Sequence, residues 1–119
     1  MEFQHKKLNK LVEQRRNECN SIINRYPDKI PIICERDPKS NLPDLDKKKW
    51  IVPSDYTIDL FMSLIKRRMG LDSETLLYFI ANGKDVISGE YLISEIYEKY
   101  KDYQDNLLYI AYSDKIKWL

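Results

Sequence analysis

Apolar residues recur along this chain with two different periods, and the switches between them divide it into elements. Leu8, Leu11, Val12, Cys19, Ile22 and Ile23 fall on one face at 3.6 residues per turn, with Lys10, Arg15 and Arg16 between them. The spacing predicts helix, with a break near Asn9-Lys10 that leaves a short first helix and a longer second one. It ends before Tyr26-Pro27-Asp28, because proline disfavours helical geometry in the residue before it. Ile30 to Glu35 is short, β-branched and apolar, so it predicts a strand. Pro31 cannot donate to a ladder and by itself places that strand at an edge or a bulge. Asp37 to Asp44 is turn chemistry. Lys48 to Val52 then predicts a second strand, stopped by Pro53 and joined to the first as a long-looped hairpin.

Thr57 is a candidate helix N-cap, with Asp59 in the first turn, where the helix dipole favours an anion. Ile58, Phe61, Met62 and Ile65 form one stripe of that helix, and Leu60 and Leu64 form a second beside it. Lys66, Arg67 and Arg68 fill the last turn, and Gly70 stops it. Thr75 to Ile80 predicts a strand ended by Asn82-Gly83. Ile93, Ile96, Tyr97 and Tyr100 predict a helix from Glu90 to about Tyr100. Leu107 to Tyr112 is apolar without alternation, the pattern of a strand covered on both faces in the middle of a mixed sheet.

The predicted order is helix, helix, strand, strand, helix, strand, helix, strand. Without the first two helices, ββαβαβ remains. A right-handed crossover through a helix returns a strand to the same sheet. A last strand buried beside the first gives a mixed sheet with helices on one face. That is the β-grasp arrangement of ubiquitin, an α+β fold, with two additional N-terminal helices to cover the other face or one end. The expected organisation is one domain over residues 1–119, with a helical extension at 1–25 and a β-grasp core at 28–113.

Composition adds limits. The 119 residues are 43% hydrophobic and 33% charged, ordinary for a globular protein and too apolar for disorder. No run approaches the roughly 18 apolar residues of a membrane span. No apolar run follows the first residues, so no secretory signal is expected. Two cysteines, Cys19 and Cys34, read as free or buried thiols of a reducing, cytoplasmic compartment. Residues 1–71 carry 15 Lys/Arg against 10 Asp/Glu, and residues 72–119 carry 5 Lys against 9 Asp/Glu. The basic half attracts acidic partners, or reflects only where a soluble surface places its charges.

Catalytic chemistry is not evident in the pattern. His5 is the only histidine, in a segment expected to be mobile. One histidine and two cysteines do not supply the usual zinc sites. Gly70, Gly83 and Gly89 are isolated, so there is no phosphate-cradling loop. Cys19 and Cys34 lie in apolar settings that favour core packing over nucleophilic roles. The expectation is a non-enzyme with no cofactor.

Three runs carry a resemblance: Tyr26-Pro27-Asp28-Lys29-Ile30-Pro31-Ile32-Ile33, then Leu45-Asp46-Lys47-Lys48-Lys49-Trp50-Ile51-Val52-Pro53-Ser54-Asp55, then Leu108-Tyr109-Ile110-Ala111-Tyr112-Ser113. From about Arg15 to Asp114 the chain resembles the autophagy ubiquitin-like modifiers related to GABARAP and the microtubule-associated light chain. The resemblance implies a β-grasp with two N-terminal helices and no catalysis. It implies conjugation through a C-terminal glycine to phosphatidylethanolamine on autophagosomal membranes, by the processing protease and conjugation enzymes of the family. It further implies recruitment of receptors and adaptors carrying an aromatic-x-x-aliphatic motif. The family places the first strand centrally, where Pro31 alone suggests an edge.

Matched motif to motif, the resemblance assigns a pocket for the ligand's aromatic residue to Glu18, Ile22, Pro31, Ile33, Lys49, Ile51 and Leu107. It assigns a pocket for the aliphatic residue to Trp50, Val52, Pro53, Tyr56, Phe61 and Leu64. The residues themselves support part of this. Lysines before the second strand and proline after it are edge-strand features, an exposed edge accepts an added peptide strand, and Leu60 and Leu64 need something to cover. The alternative is that all these residues are simply core. Relatives often carry an aromatic residue where Leu107 stands, which bears on ligand preference. Lys29, Lys47, Lys48, Lys49 and Arg68 would steer acidic residues preceding the motif, or be a solvated edge. Phosphate contacts beside a stacking Trp50 are a third reading, weakened by a net charge of +1 and no nucleic-acid motif.

The C-terminus departs most from the family. It reads Ser113-Asp114-Lys115-Ile116-Lys117-Trp118-Leu119, with no glycine after Gly89. Leu119 stands behind the aromatic Trp118 where glycine is expected, or the chain is cut short or altered there. A branched side chain there obstructs transfer of the carboxylate between thiolates, so this chain is expected not to be conjugated. A non-conjugated ubiquitin-like adaptor in vesicle trafficking is the alternative function.

Overall fold

The computed structural model describes residues 1–116. Its elements are α1 (Gln4–Leu8), α2 (Val12–Arg25), β1 (Lys29–Arg36), β2 (Lys49–Pro53), α3 (Ile58–Met69), β3 (Tyr78–Ala81), β4 (Asp85–Val86), α4 (Ile93–Tyr100) and β5 (Leu108–Ser113). The five strands form one mixed sheet in the order β2-β1-β5-β3-β4. β1 runs antiparallel to β2 and parallel to β5, and β5 runs antiparallel to β3. This is the α+β, ubiquitin-like arrangement, and β5 is buried at every position, as its unalternating pattern predicts.

β1 is not an edge strand, which corrects the inference from Pro31. Cys34 N donates to Lys48 O at 2.8 Å and Ser54 N donates to Asp28 O at 2.8 Å. By that parity Ile30, Ile32 and Cys34 bond to β2, and Pro31 turns its nitrogen toward β5. The β5 ladder begins one residue later, at Ile32 opposite Leu108. Pro31 therefore sits just short of the first rung. The nearby carbonyl of Asn106 accepts instead from the Tyr97 hydroxyl (2.7 Å) and the Cys19 thiol (3.3 Å).

Each sheet face has its own core. Ile32, Cys34, Val52, Phe79, Leu108, Ile110 and Tyr112 pack with Ile58, Phe61 and Ile65 of α3 and with Ile93 and Ile96 of α4. On the other face Ile33, Leu107 and Tyr109 meet Cys19, Ile23 and Phe3. α3 is capped as its sequence predicts. Thr57 Oγ1 accepts from Leu60 N at 3.1 Å, and Gly70 closes the helix at φ 71°, a left-handed conformation that glycine adopts without steric cost.

Several boundaries move. The chain breaks between α1 and α2, so the apolar stripe does not continue across it; Leu8 is 80% exposed and Leu11 61%. Thr75 to Leu77 precede β3 as loop, and Thr75 N closes a turn onto Asp72 O at 3.0 Å. α4 starts at Ile93 rather than Glu90, because Glu95 Oε1 accepts from Leu92 N at 2.9 Å and makes Leu92 the cap. β4, only two residues long, is too short to show a period.

Burial first of all pushes the hydroxyls of Tyr97, Tyr109 and Tyr112 above their ordinary range, Tyr112 to about 12. Each donates its hydrogen: Tyr97 to Asn106 O, Tyr109 to Asp105 Oδ2 (2.6 Å) and Tyr112 to Pro43 O (2.7 Å). The unfolded chain gives up phenolic protons from about pH 10, while the folded chain keeps these three. Their stabilisation is therefore complete below about pH 10 and lost as pH rises beyond it. Their tyrosinate absorbance is expected to appear together with unfolding, and Tyr112→Phe is expected to flatten the alkaline decline measured by urea titration. A decline as steep in the variant as in the parent would refute the assignment.

Candidate functional site

β2 occupies one edge of the sheet, and among the described residues no strand pairs with its outer side. The parity that turns Trp50 and Val52 toward β1 turns the main-chain N–H and C=O of Lys49 and Ile51 outward. These are two donors and two acceptors aimed at solvent from a regular strand. Pro53 ends the row because it has no N–H. Side chains alternate across the strand. Lys49 and Ile51 lie on the α2 side, and Trp50 and Val52 on the α3 side.

On the α2 side, the Glu18 carboxylate bonds the Lys49 ammonium and also lies 3.1 Å from His5 Nε2. Ile22 is half-buried and Ile51 is 39% exposed. Of the seven residues assigned to the aromatic pocket, Glu18, Ile22, Lys49 and Ile51 therefore reach the surface, and Pro31, Ile33 and Leu107 are buried.

On the α3 side, Trp50 is half-buried and meets Phe61 edge-on at 5.9 Å between ring centroids. Its Nε1 donates to Lys47 O at 2.8 Å, and the Lys47 ammonium sits 4.5 Å from its ring centre. Phe61 and Val52 are buried in the main core, while Pro53, Tyr56 and Leu64 are half-buried. α3 buries Ile58, Phe61 and Ile65 and leaves Leu60 43% exposed beside Leu64. The second apolar stripe is thus surface, the one of the two positions open to a double-striped helix, core or surface, that the fold selects. Three open cavities, of 500, 410 and 470 Å³, lie away from β2.

The basic surroundings are partly neutralised. Arg68 holds Asp46 through two bonds of 3.0 Å, and this hydrogen bonding lowers the Asp46 carboxyl below its ordinary value. Lys29 lies over the Tyr26 ring at 5.5 Å. Lys48 is exposed.

The α2 wall is positioned by groups the sequence did not announce. Arg15 Nε donates to the buried Asp105 at 2.8 Å, and its Nη1 donates to Asn9 O at 2.6 Å and Lys10 O at 3.1 Å. Asp105 also accepts from Leu107 N at 2.9 Å and from the Tyr109 hydroxyl. α1 is anchored rather than loose: Gln4 N and His5 N donate to the Glu35 carboxylate at 2.7 and 3.0 Å, and Lys6 pairs with Asp102 at 2.6 Å. Partners some 30 to 100 positions apart leave no local signal. An apolar strand interrupted by Glu35 is the one hint. Burial pushes both thiols up, Cys19 to about 11, so they stay protonated. Among the described residues no group of His, Cys, Asp or Glu could hold a metal ion, and no helix is long and apolar enough to cross a membrane. Lys117, Trp118 and Leu119, on which the expectation about conjugation rests, lie outside the described residues.

A β-grasp sheet backed on its second face by two N-terminal helices, with an open edge strand between α2 and α3, defines a ubiquitin-like protein of the extended kind. The family described as autophagy protein Atg8, ubiquitin-like, matches residues 14–118. The chain belongs to that family. A solved structure of Trypanosoma brucei ATG8 superposes with a TM-score of 0.81 at 37% identity, covering 87% of this chain and 87% of that one.

Proposed function

We propose that this autophagy ubiquitin-like protein acts by binding, not catalysis, and takes up aromatic-x-x-aliphatic peptide motifs of receptors and adaptors as a strand added to β2. The observation that carries the reading is the outward main-chain row of Lys49 and Ile51 between two different side-chain surfaces. An extended ligand places residues three apart on opposite faces, since side chains alternate. Its aromatic residue then meets Ile22 and Ile51 beside Glu18, and its aliphatic residue meets Trp50 and Leu64. Alternation admits an even number of intervening residues, and the two of this motif meet that condition. Family membership adds the processing and conjugating enzymes as a second class of partner, with the cytoplasm and, in a lipid-conjugated state, autophagosomal or vesicle membranes as the place of action. The trafficking-adaptor alternative uses the same docking surface without the lipid.

Nucleic acid is disfavoured by two features. Trp50 is committed to Phe61 and Lys47, so stacking a base would require rearrangement. Lys49 and Arg68 already hold carboxylates.

The test is titration of an acidic-Trp-x-x-Leu peptide followed residue by residue in solution. Micromolar affinity is expected, about −8 kcal/mol, with the largest changes at Lys49–Pro53, Ile22 and Leu64. Changes confined to another surface would refute the reading. Lys49→Glu is expected to slow association with the acidic peptide at low salt and leave the fold intact. An association rate unaffected by this reversal would make the basic surroundings a solubility feature only.

A further inference from the structure

Glu18 is shared between two elements. Oε1 lies 3.1 Å from His5 Nε2 on α1, and Oε2 bonds Lys49 Nζ on β2. The His5 side chain is 13% exposed and Glu18 30%, so neither pair is fully solvated. The backbone that carries the imidazole is anchored. His5 N is tied to Glu35, the ring lies 6.4 Å from that of Tyr109, and the next residue, Lys6, is paired with Asp102.

The charged and titratable groups around the imidazole come from every neighbouring element. Glu18 faces it from α2 and Tyr109 from β5, while Glu35 of β1 accepts from the main-chain N–H of His5. Lys6 and Lys7 flank it on α1. Lys49 reaches it through Glu18, and Asp102 through Lys6. Among these, histidine is the residue type whose ordinary charge change falls between about pH 5 and 8.

We propose that His5 and Lys49 compete for the Glu18 carboxylate, so that protonation of His5 releases Lys49 to the acidic flank of an incoming peptide and docking tightens as pH falls. The inference rests on the docking reading above. With His5 neutral, Glu18 spends its charge on Lys49, and an acidic ligand must displace it. With His5 charged, the imidazolium donates from Nε2 to Glu18 whichever nitrogen carried the hydrogen before, and the hold on Lys49 weakens. The added positive charge beside the site acts in the same direction. Linkage makes the effect reciprocal: a peptide that occupies Lys49 leaves Glu18 to His5 and raises the proton affinity of the imidazole.

The full chain is titrated with an Asp-flanked Trp-x-x-Leu peptide, and with its Asn-flanked counterpart, at about pH 8 and about pH 5.5. Asp side chains stay mostly ionised over this range. The acidic peptide is expected to bind roughly three- to fivefold tighter at the lower pH, the scale of a partly exposed ion pair. The neutral peptide should show no such gain. His5→Asn, which keeps a polar group beside Glu18 but cannot charge, should abolish the gain at unchanged thermal stability. Glu18→Gln removes the shared carboxylate and should leave only the smaller gain that the imidazolium charge itself contributes. The single histidine resonance should titrate at higher pH with the acidic peptide bound. Binding of the acidic peptide without pH dependence, a dependence that survives His5→Asn, or one undiminished in Glu18→Gln, overturns the inference alone. Failure of both peptides to bind at either pH overturns the docking reading and this inference with it.

Discussion

Replacing Asp105 by alanine is expected to cost about 3–5 kcal/mol of stability, because it strands the buried Arg15 guanidinium without its carboxylate. Arg15 is 5% exposed and Asp105 0%. Burial opposes the arginine's charge, but the bond and charge of Asp105 outweigh it, and Arg15 stays above its ordinary value. The same deletion removes the acceptor of Leu107 N and of the Tyr109 hydroxyl. For a domain whose whole stability is about 5–15 kcal/mol, such a loss brings it close to unfolding. Urea denaturation measures it. An apolar pair, Arg15→Met with Asp105→Leu, should recover much of the loss, since replacing both partners leaves no bare charge. A loss below about 1 kcal/mol in the single variant would mean that the pair behaves like a surface one. Peptide affinity should fall in parallel with stability, because Arg15 fixes the N-terminal end of α2, which carries Glu18 and Ile22.

Leu64→Glu is expected to reduce peptide affinity more than about tenfold with little change in stability. Burying a leucine against a ligand contributes about 1.5–3 kcal/mol, and Leu64 is half-buried on the outer stripe of α3, not in the core. A charged residue at Ile33 tests something different. Ile33 is 0% exposed, packed with Cys19, Leu107 and Tyr109, so its loss of binding would follow from loss of the fold. Comparing the two variants by peptide titration and by denaturation separates the effects. Unchanged affinity in folded Leu64→Glu would move the aliphatic end of the site away from α3.

Leu107 shows how burial alters a site read from sequence. The family resemblance places it in the wall of the aromatic pocket. It is 0% exposed and packed against Cys19 and Ile33. In the docking mode proposed above, a ligand would meet Ile51 and Ile22 first, and Leu107 would act only on the depth beneath them.

The amino-acid sequence alone determined the features whose cause is local. The α3 boundaries follow from Thr57 and Gly70, and the double stripe of α3 from the spacing of Ile58, Leu60, Phe61, Leu64 and Ile65. The interior position of β5 follows from six apolar-rich residues without alternation, and the break after α1 from Asn9-Lys10. The runs Tyr26–Ile33, Leu45–Asp55 and Leu108–Ser113 together pointed to the family. Tertiary structure alone decided the rest. Pro31 can occupy an interior strand only because the register turns its nitrogen to a place where the β5 ladder has not begun, and register is a relation between strands. The sequence left His5 in a mobile end; Glu35 and Glu18 hold it, 30 and 13 positions away. Arg15 and Asp105 look like two ordinary surface charges until a 90-residue loop closes and buries them against each other. Periodicity reports what one segment does with its own faces, whereas ion pairs, ladder phase and the meeting of α1, α2 and β2 at Glu18 exist only after distant segments are packed together.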